Sequence, residues 1–251
     1  MNTLSLVIPC YNEAEVIERS LRKITGFLDA QGITFEILVG NDGSTDNTTE
    51  IVKPITEEDN RVKLLSQPVN KGKGAILSTT FPHAKNGILA FIDADLDIDV
   101  HYLIPLLTMV ENGADIAIGS KNLIGAYTQR SWKRKIATIV YNLFVRLLLN
   151  SRLSDHQAGI KAFKRDVLLD TLPEISNDGW TWDTEVLVRA QKKGYAVSEY
   201  PIRVNQKSES SVSVIKHSIQ MAKDILIMYS RGLRITGNGK RGKIVRHIYD
   251  E

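Results

Sequence analysis

Four acids at alternating positions, Asp93, Asp95, Asp97 and Asp99, follow directly on the apolar run Ile88-Leu-Ala-Phe-Ile92. A short run of this kind, bounded by Asn86-Gly87, reads as a core strand of a parallel sheet. In open α/β sheets ligands sit just beyond the carboxyl ends of the strands, which is where Asp93, Asp95 and Asp97 fall. Two carboxylates two residues apart in extended backbone point to the same side, so Asp93 and Asp95 could share a hard divalent cation and a phosphate-bearing ligand. A solvated acidic turn, or a cap for the helix that follows, accounts for the same residues, and the stretch alone leaves both readings open.

The elements that must position these acids can be read on either side of them. Leu4-Ser-Leu-Val-Ile-Pro9 predicts a first strand, and Asn12-Glu13-Ala14-Glu15 predicts a capped helix start, continued by Val16, Leu21, Ile24, Phe27 and Leu28 at helical spacing. Phe35–Gly40 predicts a second strand, followed by the turn-rich Asn41–Asp46 and a helix through Ile51. Val62–Ser66 predicts a third strand, Ala75–Ala84 a helix, Tyr102–Glu111 another, and Asp115–Ser120 a fifth strand. Strand and helix alternate five times, which implies a largely parallel sheet with helices on both faces. The second half is less regular: a helix over Ser131–Asn150, a short strand over Gly159–Lys164, a helix over Trp182–Lys193 ended by Gly194, a strand over Ala196–Val204, and an amphipathic helix over Val212–Arg231. A polar, basic tail follows and is expected to be mobile.

At 251 residues, 43% hydrophobic and 24% charged, the chain can bury a full core. A net charge of +3 does not by itself call for nucleic acid, although six Lys/Arg and no acid lie between Arg231 and Arg246. The single cysteine, Cys10, rules out an internal disulfide and reads as a buried thiol in a reducing compartment. The longest uncharged-looking stretch, Ile136–Leu149, is about 14 residues long and contains Arg146, so no membrane-spanning segment is expected. No Gly-x-Gly-x-x-Gly follows the first strand, which removes the main sign of a dinucleotide-binding domain, and Asn70-Lys71-Gly72-Lys73-Gly74 lacks the spacing of a Walker loop.

Every strand end in the first half carries polar or small residues, and in a parallel sheet these ends share one edge. The set Val7-Ile-Pro-Cys-Tyr-Asn-Glu13, Asn41-Asp-Gly-Ser-Thr-Asp46, Asn70-Lys-Gly-Lys-Gly74, Asp93-Ala-Asp95, Asp155-His-Gln-Ala-Gly-Ile-Lys161 and Trp182-Asp-Thr-Glu185 resembles, in this order, the nucleotide-sugar glycosyltransferases of family 2, with their GT-A fold. Within that family it looks most like the dolichyl-phosphate and polyprenyl-phosphate hexosyltransferases. The resemblance covers roughly residues 4 to 210, so it implies a catalytic domain over 1–210 and leaves 211–251 as an amphipathic helix and basic tail, possible means of membrane association.

The resemblance further implies that Pro9, Tyr11, Glu13, Asp42 and Lys71 bind the donor nucleotide, that Asp93 faces its ribose or sugar, and that Asp95, helped by Asp97, holds Mg²⁺ or Mn²⁺ against the diphosphate. A hard ion suits a leaving group that gains negative charge as the glycosidic bond breaks. Lys121, Arg130, Arg134 and Lys135 would hold the acceptor phosphate and donor diphosphate, with Lys121 and Arg134 among the catalytic groups, and Asp155 and Gln157 would touch acceptor or sugar. The alternative for each cation is a solvated basic helix face. Asp183 acts as general base in relatives that glycosylate a hydroxyl, but Trp182 stands where those enzymes carry an acid, so a phosphate acceptor with Asp183 organising the site is favoured. Other departures are Asn41 where a second aspartate is usual, Lys121 where an arginine is usual, and a loose match at Lys207–Ser211. His156 is expected to be a loop residue and not a ligand.

The expected activity is inverting transfer of a hexose, from UDP-glucose or alternatively GDP-mannose, to dolichyl or polyprenyl phosphate. UDP-glucose is favoured because Asn70–Gly74 and Gln157–Lys161 look more like the glucosyl synthases. The alternatives are transfer to a sugar hydroxyl in polysaccharide or glycolipid synthesis, and an inactive binding module of the same fold. The enzyme is expected in the cytoplasm, peripheral at the cytosolic membrane face through its apolar helices or a small membrane protein partner.

Overall fold

The fold rests on short apolar strands that are buried on both faces, as parallel strands covered by helices must be. A computed structural model describes residues 3–128, 132–204, 214–235 and 245–246. In chain order it contains β1 (Leu4–Cys10), α1 (Ile17–Ala30), β2 (Phe35–Asn41), α2 (Thr48–Glu58), β3 (Val62–Ser66), α3 (Lys73–Thr80), β4 (Ile88–Ile92), α4 (Leu103–Glu111), β5 (Ile116–Ser120) and β6 (Tyr127–Thr128). There follow α5 (Trp132–Leu149), β7 (Ile160–Lys164), α6 (Arg165–Thr171), α7 (Trp182–Lys193), β8 (Val197–Pro201), β9 (Arg203–Val204), α8 (Val214–Ser230) and β10 (Val245–Arg246).

The main sheet runs β10-β8-β5-β7-β4-β1-β2-β3. All neighbours are parallel except β7, which is antiparallel to both β4 and β5. Reversing β7 brings its amino-terminal end, and the loop before it, to the edge where β1, β2, β4 and β5 deliver their carboxyl ends. Alternation along the strands divides the core. Leu6, Ile8, Ile88, Ala90 and Ile92 face one side with Leu21, Ile24 and Leu28 of α1 and Leu103 and Leu106 of α4. Val7, Leu89 and Phe91 face the other with Leu77 of α3 and Trp182, Val186 and Leu187 of α7. A third cluster joins Tyr141, Val145 and Leu149 of α5 to Ile225 and Met228 of α8.

The expected α/β architecture is present, with several local differences. Helix α1 begins at Ile17 without a side-chain cap; Asn12 instead adopts φ +55 and its Oδ1 accepts from Thr45 N at 2.8 Å, tying the β1 loop to the β2 loop. The final strand expected over Ala196–Val204 is split: Ile202 N still donates to Ser120 O at 3.1 Å, and Arg203–Val204 then turns away to pair with β6. The described residues of 211–251 join the sheet and its helices: α8 packs on α5, and β10 extends the sheet beside β8. The rest of the expected mobile tail lies outside the described residues.

Candidate functional site at the carboxyl edge of the sheet

At the ends of β1 and β2 the chain builds a backbone cradle around one carboxylate. Asp42 is buried; its Oδ1 accepts from Lys71 N at 2.9 Å and its Oδ2 from Gly72 N at 2.8 Å, and the Gln67 side-chain amide also donates to it. Gly72 makes this turn at φ +110, where a Cβ would lie 2.5 Å from Asp178 O. Pro9 is buried within β1, whereas Tyr11 and Lys71 stand exposed at the rim. Asn41 accepts from Ser44 N and Oγ, so in this chain it orders the turn after β2.

Four acids crowd the next strand end. Burial, and then the charges of Asp95, Asp93 and Asp46, push Glu13 up to about 7. Asp95 is exposed at the mouth, yet the protein packed around its carboxyl group, with Asp93 and Asp97 beside it, pushes it up to about 6. The extended backbone expected for these acids stops at Ile92: the chain turns through Ala94 and Asp95, and Leu96 sits at φ +51. Asp93 and Asp95 therefore do not form a strand-based pair. Asp93 Oδ1 accepts instead from Lys73 Nζ at 2.5 Å, and Asp95 Oδ1 accepts from Asp97 N at 3.0 Å. Asp99 caps the turn before α4 by accepting from His101 N at 3.1 Å, and pairs with Lys23.

Among the described residues no three His, Cys, Asp or Glu side chains converge on a cation. The carboxylates expected to hold a metal, Asp95 and Asp97, would supply one or two ligands and leave the rest of the shell to a bound ligand and water. That donor set fits Mg²⁺ or Mn²⁺, which commonly take one or two carboxylates and complete their shell with phosphate oxygens and water. The repulsion that raises Asp95 is what a bound cation would relieve.

The other half of the edge is built from paired charges. Asp155 is fully buried; its Oδ2 accepts from Lys121 N at 3.0 Å and lies 3.2 Å from Lys121 Nζ, while Oδ1 accepts from Gln157 N at 3.0 Å. Burial alone would raise Asp155, but Lys121 and the backbone donors outweigh it and hold it below the usual carboxylate range. Lys121 Nζ also donates to Gln157 O at 3.0 Å. Below this loop Glu199 of β8, itself raised by burial, accepts from Ser154 N and Asp155 N. His156 has both ring nitrogens inside the protein, Nδ1 to Asn142 Oδ1 at 2.7 Å and Nε2 to Ser151 Oγ at 2.8 Å, and burial pushes it down to about 3. It is a neutral structural residue.

Lysines link the two halves. Lys161 is fully buried in β7 and donates to Asp183 Oδ1 at 2.6 Å and Ala158 O at 2.7 Å; burial lowers it despite the aspartate. Lys73 reaches Asp93 and lies 3.9 Å from Asp183 Oδ2; burial would lower it, but the two carboxylates outweigh burial and raise it. Asp183, in the first turn of α7, is thus held between two ammonium groups. Trp182 beside it is wholly internal, stacked on Phe81 with Nε1 donating to Ser78 Oγ at 2.8 Å. Asp93 N donates to Gly159 O at 3.0 Å, and a Cβ on Gly159 would fall 1.9 Å from Asp93 Oδ2.

The structure therefore brings together Glu13, Asp42, Asp93, Asp95, Asp97, Lys121, Asp155, Gln157 and Asp183 at one edge. Arg130 and the Lys207–Ser211 loop lie outside the described residues, and Arg134 and Lys135 are placed only as positions in the first turn of α5. Sequence reasoning passed over Lys73 and Lys161 as site residues. Lys161 carried a usable signal: a lysine between Ile160 and Ala162 in an apolar strand must have a buried partner.

A family model described as Glycosyl transferase family 2 matches residues 5–172. Glycosyltransferase AglD of Haloferax volcanii is 36% identical over 228 residues, which cover 89% of this chain and 36% of that protein. A dolichyl-phosphate beta-glucosyltransferase of Saccharomyces cerevisiae is 31% identical over 245 residues, covering 90% of this chain and 73% of that protein. Among solved structures, the glucosyl-3-phosphoglycerate synthase of Mycobacterium tuberculosis, in complex with Mn²⁺, uridine diphosphate and phosphoglyceric acid, superposes with a TM-score of 0.72 at 19% identity, over 95% of this chain and 81% of that one. This last likeness is one of fold.

Proposed function

From the premise that this chain belongs to glycosyl transferase family 2, we propose that it transfers a hexose from a nucleotide sugar, UDP-glucose first, to the phosphate of a dolichyl or polyprenyl lipid. The similarity to a dolichyl-phosphate beta-glucosyltransferase over most of both chains supports this reading. The observation that carries it is the state of Asp183. A hydroxyl acceptor needs a carboxylate free to take its proton, and here Asp183 is held by Lys161 at 2.6 Å with Lys73 3.9 Å away. A phosphate acceptor, with a second pKa near 6, is mostly dianionic at neutral pH and needs no base; it needs cations.

In this reading Pro9, Tyr11 and Glu13 line the nucleoside, and Asp42 accepts from the base while holding the Lys71–Gly72 backbone. Asp95, with Asp97, holds Mg²⁺ or Mn²⁺, which when bound neutralises charge developing on the diphosphate. Lys73, drawn to Asp93, is placed to follow the same charge. Lys121, fixed by Asp155, takes the acceptor phosphate, with Arg130, Arg134 and Lys135 assigned to the same anions. A phosphate oxygen attacks the anomeric carbon, a new C–O bond forms, and the bond to the diphosphate breaks with its electron pair leaving on the nucleotide. One direct displacement inverts the anomeric configuration. Catalysis belongs to 1–210, with 211–251 serving attachment. Because the acceptor is a membrane lipid, transfer takes place at a membrane surface, approached from the cytosolic side.

The test crosses labelled UDP- and GDP-hexoses with prenyl phosphate or a sugar acceptor in detergent, with and without Mn²⁺. Label is expected in the lipid phosphate, from UDP-glucose, and only with the metal. Label on a sugar hydroxyl, or transfer unaffected by chelation, would overturn the reading.

A further inference from the structure

Lys161 stands where the sheet calls for an apolar residue. It lies in the middle of β7, the strand that runs against its neighbours, in register with Phe91 of β4 and Ile118 of β5. Its side chain is 0% exposed, and its Nζ lies 5.2 Å from the centre of the Phe91 ring. The ammonium donates to Asp183 Oδ1 at 2.6 Å and to Ala158 O at 2.7 Å. A group so deep touches no substrate, and whatever it does in the site it does through Asp183.

Stability does not ask for this pair. An apolar side chain of similar length would fill the same place beside Phe91, and exchanging a buried ion pair for packed apolar groups is commonly neutral or stabilising. What the pair fixes is the state of Asp183. Lys73 lies 3.9 Å from the other oxygen of that carboxylate, but Lys73 has a nearer partner in Asp93 at 2.5 Å. Among the described residues the ion pair of Lys161 is with Asp183 alone. Burial lowers Lys161, and Asp183 is the main influence acting the other way. A proton delivered to Asp183 would leave an ammonium inside the sheet without its counter-charge, an arrangement that proteins tolerate poorly. That cost falls on any reaction in which Asp183 takes a proton.

We propose that Lys161 sets the class of acceptor: by occupying Asp183 it denies a general base to water and to sugar hydroxyls, and leaves the anomeric carbon to a nucleophile that arrives already ionised. The proposal deepens the lipid-phosphate reading and rests on it for donor and acceptor. A prenyl phosphate attacks through an anionic oxygen and has no proton to lose. Water has one: its oxygen bonds to the anomeric carbon, the bond to the diphosphate breaks with its electron pair leaving on the nucleotide, and the proton must pass to a base. Lys161 is thus a positioning residue whose effect is to protect the donor from hydrolysis while no lipid is bound.

The test follows three products from UDP-glucose with Mn²⁺ in detergent: free glucose, glucose on a short prenyl phosphate, and glucose on an added hexose. Wild type is expected to favour the lipid product. Lys161→Met should raise hydrolysis, or transfer to the hexose, at least about tenfold relative to lipid transfer, because Lys73 is drawn to the diphosphate and does not take its place. Adding Asp183→Asn to Lys161→Met should remove that gain. Lys161→Gln, which keeps a neutral donor beside Asp183, should shift the products in the same direction, and cooperative thermal unfolding reports the fold of each variant. A purely structural role predicts an equal loss of all three products. An unchanged product ratio, a gain that survives Asp183→Asn, or failure of both Lys161 variants to fold would overturn the proposal. A wild type that puts no glucose on prenyl phosphate would overturn the proposed activity instead, and an Asp183-dependent gain of hydrolysis in Lys161→Met would still uphold the role of Lys161.

Discussion

The two halves of the edge, assigned above to the donor and the acceptor in the proposed reading, handle charge in opposite ways. Around β1, β2 and β4 the acids crowd one another, so that Glu13 rises to about 7 and Asp95 to about 6. Around β5, β7 and α7 the acids Asp155 and Asp183 each have a lysine within 3.2 Å. The first arrangement is short of positive charge and suits a cation brought with a diphosphate. The second has built its own positive charge into the fold, where it can meet an anion without a metal. Lys73 spans the two, with Asp93 at 2.5 Å and Asp183 at 3.9 Å.

The sharpest way to break this contrast is to neutralise the donor half. Asp95→Asn is expected to lower steady-state hexose transfer by about 10³-fold, with folding unchanged because the residue is exposed. On the acceptor half, Lys121→Ala should lower kcat/KM for the lipid phosphate by about 10²-fold and leave the donor KM where it was. Gly159→Ala tests the join: its methyl group would occupy the place of the Asp93 carboxylate, and both activity, by about tenfold or more, and stability, by about 1–3 kcal/mol in denaturant titration, should suffer.

The pH dependence of metal–nucleotide binding should separate the halves more gently. A cation binds the carboxylate form, and a raised pKa means that form is lost sooner as pH falls. Calorimetry should therefore show Mn²⁺ and UDP binding weakening below about pH 7 and by up to about tenfold per unit below about pH 6. Asp95→Glu would shift that profile, whereas Lys121→Ala would not. The smallest effect is expected from Asn12→Ala, which removes the bond to Thr45 N at 2.8 Å and should cost about 1 kcal/mol of stability.

How much of this was legible in the sequence follows the range of the interactions. Strands β1 to β5 could be read because each is a local apolar run, and α7 because Trp182–Lys193 ends at Gly194 in the left-handed conformation that favours glycine. The reversal of β7 could not, since Ile160–Lys164 is equally apolar in either direction and only its pairing with β4 and β5 decides. The early start expected for α1 failed because Asn12 spends its side chain on residues 33 positions away. Asp42, Asp93 and Asp95 stood out as carboxylates at strand ends, and Asp183 through the family resemblance. Lys73 looked like any lysine in a glycine-rich turn, and its value lies in an aspartate 20 residues on.

The central claim is that one half of the edge takes a metal–nucleotide and the other a lipid phosphate. Its most direct test is paired calorimetry of both ligands on two variants. Asp95→Asn is expected to abolish binding of Mn²⁺ with UDP and to spare short-chain prenyl phosphate, and Lys121→Ala to do the reverse. Metal-independent UDP binding in wild type, or prenyl phosphate binding untouched by Lys121→Ala, would contradict it.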